Sequence, residues 1–355
     1  MKILHSADWH LDAPLVGRTP AQTALLKESL LRIPGMIADL ANREGCDLVL
    51  LSGDLFDGTY TPESLDAFRQ ALATLTVPVV IAPGNHDYPG AGSPWTSLSR
   101  PGNVYIFRSE AVESILIPHL NCRIYGAAFT SPVCRPLLEG FRAECTEQYA
   151  IGVFHGDPLN AGSPYCPISR NQVQESALQY LALGHIHKTG SFRAGDTLCA
   201  WPGCPMGRGY DEQGPHGVLI TELGEECHSR FVPLDLPQFH RISVAAGADP
   251  LEALNAVLPA VGNLHFYQIT LTGEAEPPDL KALEEALARF PNLQLRDATL
   301  PPLDLWAGAG EDSLEGVFFG SLRTALEEGR EDRDRVLLAA RISRLLLSGR
   351  EVELP

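Results

Sequence analysis

Short apolar stretches alternate with longer amphipathic ones along the first part of the chain. Residues 2–8, 47–52 and 77–82 each contain a run of apolar residues, and each predicts a strand. Between them, residues 20–43 have a helical pattern, and a second helix is predicted after Thr61-Pro62-Glu63 because threonine as N-cap and proline at the first helical position are start signals. Apolar strands separated by helices indicate an α/β fold whose sheet is covered on both faces.

Further strand-like segments follow, and the pattern restarts near residue 236. The predicted strands of the middle region are 104–107, 114–117, 123–128, 150–154, 218–223 and 229–234, with a helix over 172–181. The later strands are 240–245, 264–272 and 293–298, with helices at 249–258, 279–290 and within 312–349. We therefore expect a main domain at 1–236, a small β-α-β-α-β (α+β) domain at 237–301 and a C-terminal helical segment at 302–355.

The composition is that of a globular chain, with 45% hydrophobic and 20% charged residues. The N-terminus has too short an apolar stretch for a signal peptide, and no apolar run reaches the roughly 18 residues that a membrane span needs. We expect a cytoplasmic protein without membrane association. The eight cysteines are scattered without a CxxC pair, which argues against a zinc ribbon and a disulfide framework.

The net charge of −17 is spread over the chain, and the sequence has no basic domain that would indicate nucleic-acid binding. A phosphate-bearing substrate would therefore have to be attracted by a bound metal ion or by a partner subunit.

Asp, Asn and His residues stand where five of the predicted elements end. These ends are Asp8-Trp9-His10, Gly53-Asp54, Gly84-Asn85-His86-Asp87, His155-Gly156 and Gly184-His185-Ile186-His187. Ligands collect at the carboxyl ends of strands in open α/β sheets, so five such ends favour one shared site. Nitrogen and oxygen donors without thiolate indicate two adjacent divalent cations, manganese, iron or zinc rather than calcium.

Strand geometry adds two expectations about this site. In extended backbone, residues two apart point to one side, so Asp8 and His10 are expected to bind together, as are His185 and His187. One carboxylate must bridge if the ions lie about 3.5–4 Å apart.

These motifs, in this order across residues 1–190, resemble the signature of the calcineurin-like metallophosphoesterases. The flanking stretches HSADWHLD and GDLFD resemble the branch of DNA double-strand-break repair exonucleases of the SbcD type. The resemblance implies a β-sandwich flanked by helices, in four layers α/β/β/α, with the domain at 237–301 as a cap.

The resemblance also implies a role for each motif residue. The first metal would be held by Asp8, His10 and His187, the second by Asn85, His155 and His185, and Asp54 would bridge the two. His86 would face the scissile phosphate and protonate the leaving oxygen or stabilise charge. Asp57 stands where some members of the branch have histidine, so it cannot add a cationic group, and we expect it to orient His86. Asp12 replaces a glycine of many exonucleases, which places the exact substrate in question.

The implied function is hydrolysis of phosphodiester bonds in DNA by metal-activated water, as an exonuclease or endonuclease of DNA repair. Manganese is the expected metal, with iron or zinc as alternatives. The partner would be a coiled-coil, SMC-like ATPase that binds the C-terminal helices, and a homodimer is compatible with this arrangement. A small-molecule phosphodiesterase or phosphatase is the alternative that the acidic charge favours. A non-catalytic regulator of an ATPase is a third hypothesis, which the complete ligand set disfavours.

The other polar residues near the motifs are expected to have ordinary roles. His5 is the histidine best placed to support a ligand from behind. Lys188, Arg193 and Arg208 are interpreted as surface charges rather than phosphate contacts. Cys204 is expected to be a plain buried thiol.

Overall fold

A computed structural model describes residues 1–15, 19–98, 101–329 and 332–349. In chain order its strands are β1 (Lys2–Ser6), β2 (Leu48–Leu51), β3 (Val79–Ile81), β4 (Val104–Ile106), β5 (Glu113–Ile117), β6 (Cys122–Gly126), β7 (Tyr149–His155), β8 (Tyr180–Gly184), β9 (Gly190–Ala194), β10 (Thr197–Trp201), β11 (Gly217–Leu223), β12 (Cys227–Pro233), β13 (Phe239–Ala245), β14 (Phe266–Thr272) and β15 (Leu293–Asp297). Its helices are α1 (Pro20–Glu44), α2 (Pro62–Thr74), α3 (Pro94–Ser97), α4 (Arg170–Glu175), α5 (Pro250–Val257), α6 (Leu280–Ala286), α7 (Leu314–Glu327) and α8 (Arg333–Leu347).

Two six-stranded sheets form the larger part of the fold. The first has the order β12-β11-β1-β2-β3-β4 and the second the order β5-β6-β7-β8-β10-β9. Strands β1 to β4 run parallel to one another, as do β6, β7 and β8. The carboxyl ends of the parallel strands in each sheet therefore lie along one edge, where ligands are usually bound.

The sheets pack face to face. Ile3 and Leu50 of the first sheet share one buried cluster with Ile151 of the second. Their neighbours Leu4 and Val49 point the opposite way, into a cluster with α1 and α2. Because successive residues of a strand face opposite sides, strands covered on both sides are apolar throughout.

A third cluster covers the outer face of the second sheet. Here Phe154 and Leu181 pack against Val173 of α4 and against Leu137 and Leu138 from a connecting segment. The expected α/β fold, a sandwich with helices outside both sheets, is confirmed. The outer layer on this side is made more of connecting segments than of helix, since α4 has only six residues.

The predicted starts of the first two helices are confirmed. Thr61 caps α2, and its side chain accepts a hydrogen bond from the Ser64 backbone N–H at 3.2 Å. Thr19 caps α1 in the same way, through the backbone N–H of Gln22. In both helices proline occupies the first turn, where its missing N–H costs nothing.

The predicted helix over 172–181 is confirmed for its first turn, but its extension to residue 181 is wrong. Helix α4 ends at Glu175, Ala177 has a φ of 55°, and the chain then enters β8. β8 pairs with β7 on one side and β10 on the other, so its backbone groups are satisfied in the middle of a sheet. Burial between two strands outweighs the helical tendency of an Ala- and Leu-rich segment. The hairpin of β9 and β10 was also missed by the sequence pattern.

The chain divides into two compact units. The first comprises Met1–Arg241 with Leu264–Tyr267, and the second Ile242–Asn263 with Gln268–Pro355. The second unit holds α5 to α8 and most of a three-stranded sheet of order β13-β14-β15. Within it, the Arg344 guanidinium lies 3.7 Å from the ring centre of the buried Phe319, which joins α7 and α8. The division into 237–301 and 302–355 stays a prediction, and residues 350–355 lie outside the described part.

None of the helices in the described ranges combines the length and the apolar character that a membrane-spanning helix requires.

Candidate metal centre

The ends of five parallel strands bring the predicted site residues together. Asp8 and His10 follow β1, Asp54 follows β2, Asn85 and His86 follow β3, His155 ends β7, and His185 and His187 follow β8. The strands come from both sheets, so the site lies at an edge of the sandwich. Four of the side chains, those of Asp8, His10, Asp54 and His155, are buried.

One group of possible ligands combines Asp8, His10 and His187. Their ligand atoms all lie within 4.8 Å of one another. The Nε2 atoms of the two histidines are 3.2 Å apart, and because Nδ1 of each ring faces a carboxylate, two neutral imidazoles leave both Nε2 atoms without a proton. A cation between the three side chains would satisfy both nitrogens.

A second group lies beside the first and shares Asp8 with it. The ligand atoms of Asp8, Asp54 and His155 are again within 4.8 Å of one another. The Nε2 atom of His155 is 2.9 Å from Asn85 Oδ1 and 3.3 Å from Asp54 Oδ2. The ring of His185 is centred 5.2 Å from the ring of His155.

Asp54 lies between the two groups. Its Oδ2 atom is 3.9 Å from His10 Nε2, and the same atom is the one close to His155. This is the place that a bridging carboxylate needs. All seven predicted ligands are thus neighbours, while their division between two individual ions stays a prediction.

The backbone of the site is not extended, which corrects the expected strand alternation. β1 ends at Ser6 and β8 at Gly184, so Asp8, His10 and His185 lie beyond the strands. Their φ angles are 55°, 48° and 96°. Asp54 has a φ of 53°, so it too adopts a conformation that costs a non-glycine residue about 1–3 kcal/mol. The two members of each pair still meet, but through strained loops rather than through pleated strands.

Hydrogen bonds between the loops hold these conformations. The backbone N–H of Asp8 donates to Gly53 O at 3.0 Å, and that of His10 donates to Asp54 O at 3.0 Å. The backbone N–H of His185 donates to Asp8 Oδ1 at 2.9 Å. Each loop is therefore fixed by the next one, so the ligand positions depend on the assembled sheets.

Two glycines of the motifs are required by close packing. A Cβ on Gly84 would lie 2.3 Å from Asp54 Oδ1, and a Cβ on Gly184 would lie 2.1 Å from Ser52 O. Ser52 O belongs to the main chain that leads to Asp54, and Asp54 Oδ1 accepts a hydrogen bond from the His86 backbone N–H, so an added Cβ would disturb one or the other. The glycines allow the ends of different strands to approach closely enough for their polar side chains to share one site.

Asp87, the last residue of the third motif, ties two loops together. Its buried carboxylate accepts hydrogen bonds from the backbone N–H groups of Leu55 and Gly84, both at 2.8 Å. Burial, aided by the negative charge of Asp54, raises the pKa of Asp87 to about 7. Asp87 thus fixes the loop after β2 against the loop after β3, and it does not join the ligand cluster.

Asp57 connects a possible ligand to His86. Its Oδ1 atom accepts hydrogen bonds from Nδ1 of His10 at 2.8 Å and from Nδ1 of His86 at 2.9 Å. The hydrogen bond to Asp57 raises the pKa of His86, and the two imidazoles hold the pKa of Asp57 below its usual range. The His86 side chain is 46% exposed. Nδ1 of His86 is engaged, and Nε2 has no hydrogen-bond partner among the residues that the structure describes.

The buried carboxylates of the cluster favour a bound cation. Burial raises the pKa of Asp8. Burial disfavours a charged His155, but the neighbouring Asp54 outweighs it and raises the pKa of His155 to about 9. Buried carboxylates need a nearby cation. Four imidazoles, two carboxylates and one amide, with no thiolate among the predicted ligands, fit two divalent transition-metal ions.

Sequence reasoning missed Glu212. Its Oε1 atom is 2.6 Å from His187 Nδ1, and Arg208 Nη2 donates to the same oxygen at 3.1 Å. Burial opposes the charge on His187, but the hydrogen bond to Glu212 prevails and raises the His187 pKa. A metal-binding histidine generally donates its second N–H to a carboxylate, so a carboxylate partner for His187 could be expected. Nothing in the sequence selects Glu212 among many acidic residues.

His5 and Cys204 have local roles. His5 is fully buried and bonds Tyr180 Oη at 2.8 Å and Ser52 Oγ at 2.7 Å, so it holds strands together behind the site. Cys204 Sγ is 3.2 Å from Nδ1 of His216, and burial raises its pKa well above 9. Cys204 is therefore a buried thiol, as expected.

Comparison with known proteins identifies a family over the part of the chain that carries these residues. The profile of the family described as calcineurin-like phosphoesterase matches residues 1–188. The uncharacterized metallophosphoesterase YhaO of Bacillus subtilis is 30% identical over 236 residues, which cover 63% of this chain and 57% of that protein. The SbcD component of the nuclease SbcCD of Bacillus subtilis is 25% identical over 277 residues, covering 64% of this chain and 68% of that component. A dimetal phosphatase from Danio rerio matches 64% of this chain and 98% of its own, with 14% identity and a TM-score of 0.42.

Proposed function

Because the chain belongs to the calcineurin-like phosphoesterase family, we propose that it is a metal-dependent phosphodiesterase that cleaves DNA. Two divalent cations, manganese first among them, would be held by Asp8, His10, Asp54, Asn85, His155, His185 and His187. DNA is the proposed substrate, in an exonuclease or endonuclease reaction of DNA repair.

The observation that carries the proposal is the juxtaposition of the seven ligands with the Asp57–His86 pair. When bound, divalent cations neutralise phosphoryl oxygens and make water more acidic. His86 lies at the exposed border of the cluster, and the hydrogen bond to Asp57 raises its pKa, which favours the protonated form that a general acid needs. Asp57 fixes the ring of His86 through Nδ1, which directs Nε2 towards the substrate.

The choice of DNA and of an ATPase partner has two supports. The similarity to a component of the nuclease SbcCD is one. The other is apolar surface on the C-terminal helices, where Leu314 is 90% exposed and Leu346 is 65% exposed. Exposed apolar residues on a helical pair favour a partner surface, and a coiled-coil ATPase subunit is the partner we propose.

A smaller phosphodiester is the second candidate. The net charge of −17, without a basic stripe, favours a substrate that needs less electrostatic attraction than duplex DNA. A regulatory role without catalysis is the third. Both can be separated from the nuclease by one set of assays.

The decisive assay uses the full chain with Mn²⁺ and end-labelled duplex DNA, alongside bis(p-nitrophenyl) phosphate. His86→Ala is compared with His119→Ala, which removes an exposed histidine elsewhere. We expect nucleotide release from DNA, a loss of about 10²–10⁴ in rate for His86→Ala, and no change for His119→Ala. Cleavage of the small ester alone would identify the second candidate. Bound metal without hydrolysis of either substrate would favour the regulatory role.

A further inference from the structure

A row of side chains in contact crosses the site from Arg208 to His86. Arg208 Nη2 is 3.1 Å from His187 Nδ1, and His187 Nε2 is 3.2 Å from His10 Nε2. His10 Nδ1 then contacts Asp57, which contacts His86. The middle of the row is formed by possible metal ligands. Its two ends are a guanidinium and an imidazole, both partly open to solvent.

Glu212 holds the Arg208 end of the row in place. Its Oε2 atom accepts from the backbone N–H of Arg208 at 2.8 Å, and its Oε1 atom accepts from Nη2 at 3.1 Å. Within the ranges that the structure describes, Nη1 of Arg208 has no hydrogen-bond acceptor. The side chain is 24% exposed. Arg208 is thus a cation with a fixed position and with donors left over for a ligand.

The other two basic residues considered from the sequence lie differently. The guanidinium of Arg193 donates to the backbone oxygen of Cys227 and to no acceptor among the site residues. Lys188, directly after His187, has an exposed side chain that makes no ion pair with a described residue. Of the three, Arg208 is the one joined to the row, which corrects its interpretation as an ordinary surface charge.

A guanidinium suits phosphate better than any other side chain does. Its planar arrangement of N–H groups matches two oxygens of one phosphate, and its charge persists at every accessible pH. A phosphate placed over the middle of the row would have His86 on one side and Arg208 on the other. His86 would then meet the leaving oxygen while Arg208 meets an oxygen that keeps its bond to phosphorus.

We propose that Arg208 binds a non-bridging oxygen of the substrate phosphate, and that Glu212 is a positioning residue for both Arg208 and His187. The inference rests on the proposed phosphodiesterase function and names a residue that determines affinity for the phosphate group. The substrate class is a phosphodiester whose anionic oxygen is recognised by the guanidinium. The net acidity of the chain makes such a local cation more important for binding.

Binding of inorganic phosphate tests the role of Arg208 without turnover. The full chain is loaded with Mn²⁺, freed of excess metal and titrated with inorganic phosphate in a calorimeter. Arg208→Gln is expected to weaken phosphate binding by about tenfold to a hundredfold, the effect of losing a hydrogen bond to a charged group. Arg208→Lys should recover part of the affinity. The control, Lys188→Gln, removes the same charge from a neighbouring exposed position and should bind phosphate as the parent chain does.

Two results would overturn the role of Arg208 in phosphate binding. Arg208→Gln with parental phosphate affinity and normal metal content would overturn the proposal. Equal weakening by Lys188→Gln would overturn it too, because the effect would then be one of net charge. Since no bond is cleaved in this experiment, Arg208 is tested even if the chain hydrolyses neither DNA nor the small ester.

Glu212 is tested by comparing two affinities. Glu212→Gln should weaken both phosphate binding and Mn²⁺ binding, the latter by about tenfold to a hundredfold, because His187 loses the carboxylate that orients it. Arg208→Gln should weaken phosphate binding while Mn²⁺ affinity stays within about twofold of the parent. A Glu212→Gln chain with parental values for both ligands would refute the positioning role.

Discussion

At the scale of single residues, Asp57 is a carboxylate shared by two imidazoles with different tasks. It accepts from His10, a proposed ligand, and from His86, the proposed acid, through the same oxygen. A positively charged histidine, which the family resemblance suggested as an alternative at this position, could not accept hydrogen bonds from both rings. Because Asp57 is an anion, Arg208 at the other end of the row is the cation on which phosphate binding would depend.

Asp57→Asn is the substitution that tests this role. Asparagine keeps the size but loses the charge, so His86 loses its raised pKa and its fixed orientation. We expect kcat on a phosphodiester to fall by about tenfold to a hundredfold. Steady-state kinetics with Mn²⁺ measure it, with metal content determined in parallel. Asp66→Asn, which alters an exposed ion pair on α2, serves as the control. Unchanged kcat in Asp57→Asn would contradict the assignment.

His5 makes the stability of the fold depend on pH. Complete burial lowers the pKa of His5 to about 3, against 6.5 for a free imidazole. Between these two values the unfolded chain binds a proton that the folded chain excludes, so stability rises with pH across this window and is lost as the pH falls.

The contribution of His5 is measured by comparing the parent with His5→Gln. The free energy of unfolding of the parent should decline on acidification from about pH 6.5, and His5 accounts for up to about 1.4 kcal/mol per pH unit of that slope. Denaturant titrations at several pH values give both slopes. His5→Gln should be less stable than the parent near neutrality and should lose less stability per pH unit. Parallel slopes for the two chains would show that His5 is not responsible.

At the scale of elements, the ends of the strands matter more than their interiors. β1, β2, β3, β7 and β8 are buried apolar strands whose residues alternate between two hydrophobic clusters. Each is followed at once by a loop with polar side chains, and several of these loops begin with glycine or a left-handed residue. The end of each buried strand thus fixes where the polar loop that follows it begins.

A pair of glycine substitutions tests this dependence. Gly184→Ala adds a Cβ that would lie 2.1 Å from Ser52 O, so it should destabilise the fold by about 1–3 kcal/mol and reduce metal affinity. Gly35→Ala lies within α1 with no atom within 4 Å of the new Cβ, and it should stabilise the fold by about 0.5–1 kcal/mol. Denaturant unfolding compares the two chains. Equal effects in both would rule out the proposed crowding at the end of β8.

At the scale of the whole molecule, the proposed metal centre lies where residues of both sheets meet. Its ligands follow β1, β2 and β3 of one sheet and β7 and β8 of the other. Ions bound there would connect the sheets at their shared edge, and they would bind the folded chain far better than the unfolded one. Binding and folding are therefore coupled.

Removal of metal should lower the stability of the whole first unit. With free Mn²⁺ at one hundred times its dissociation constant, the folded state should gain about 2.7 kcal/mol from each site. Thermal unfolding with Mn²⁺ and after treatment with a chelator measures the difference. Asp54→Asn, which alters the carboxylate between the two ligand groups, should abolish most of the shift. Identical melting temperatures with and without Mn²⁺ would contradict a metal centre at this position.

Residue type and spacing were enough to predict the fold class, and together with the family resemblance they predicted which residues form the site. Strands that are apolar on both faces can only be buried between two layers, and polar residues directly after them can only collect at a sheet edge. These constraints are local, so the sequence predicts that Asp8, His10, Asp54, Asn85, His155, His185 and His187 lie together, and in the structure they are neighbours.

Folding in three dimensions determined what depends on distant parts of the chain. The segment at 180–184 became a strand because β7 and β10 pair with it on both sides, and no local propensity encodes those neighbours. The left-handed conformations of Asp8 and Asp54 are held by hydrogen bonds between different loops. Glu212 and Arg208 stand more than twenty residues after His187, in a turn without regular structure. Only folding brings them to the site, since their contacts depend on distance in space rather than on position along the chain.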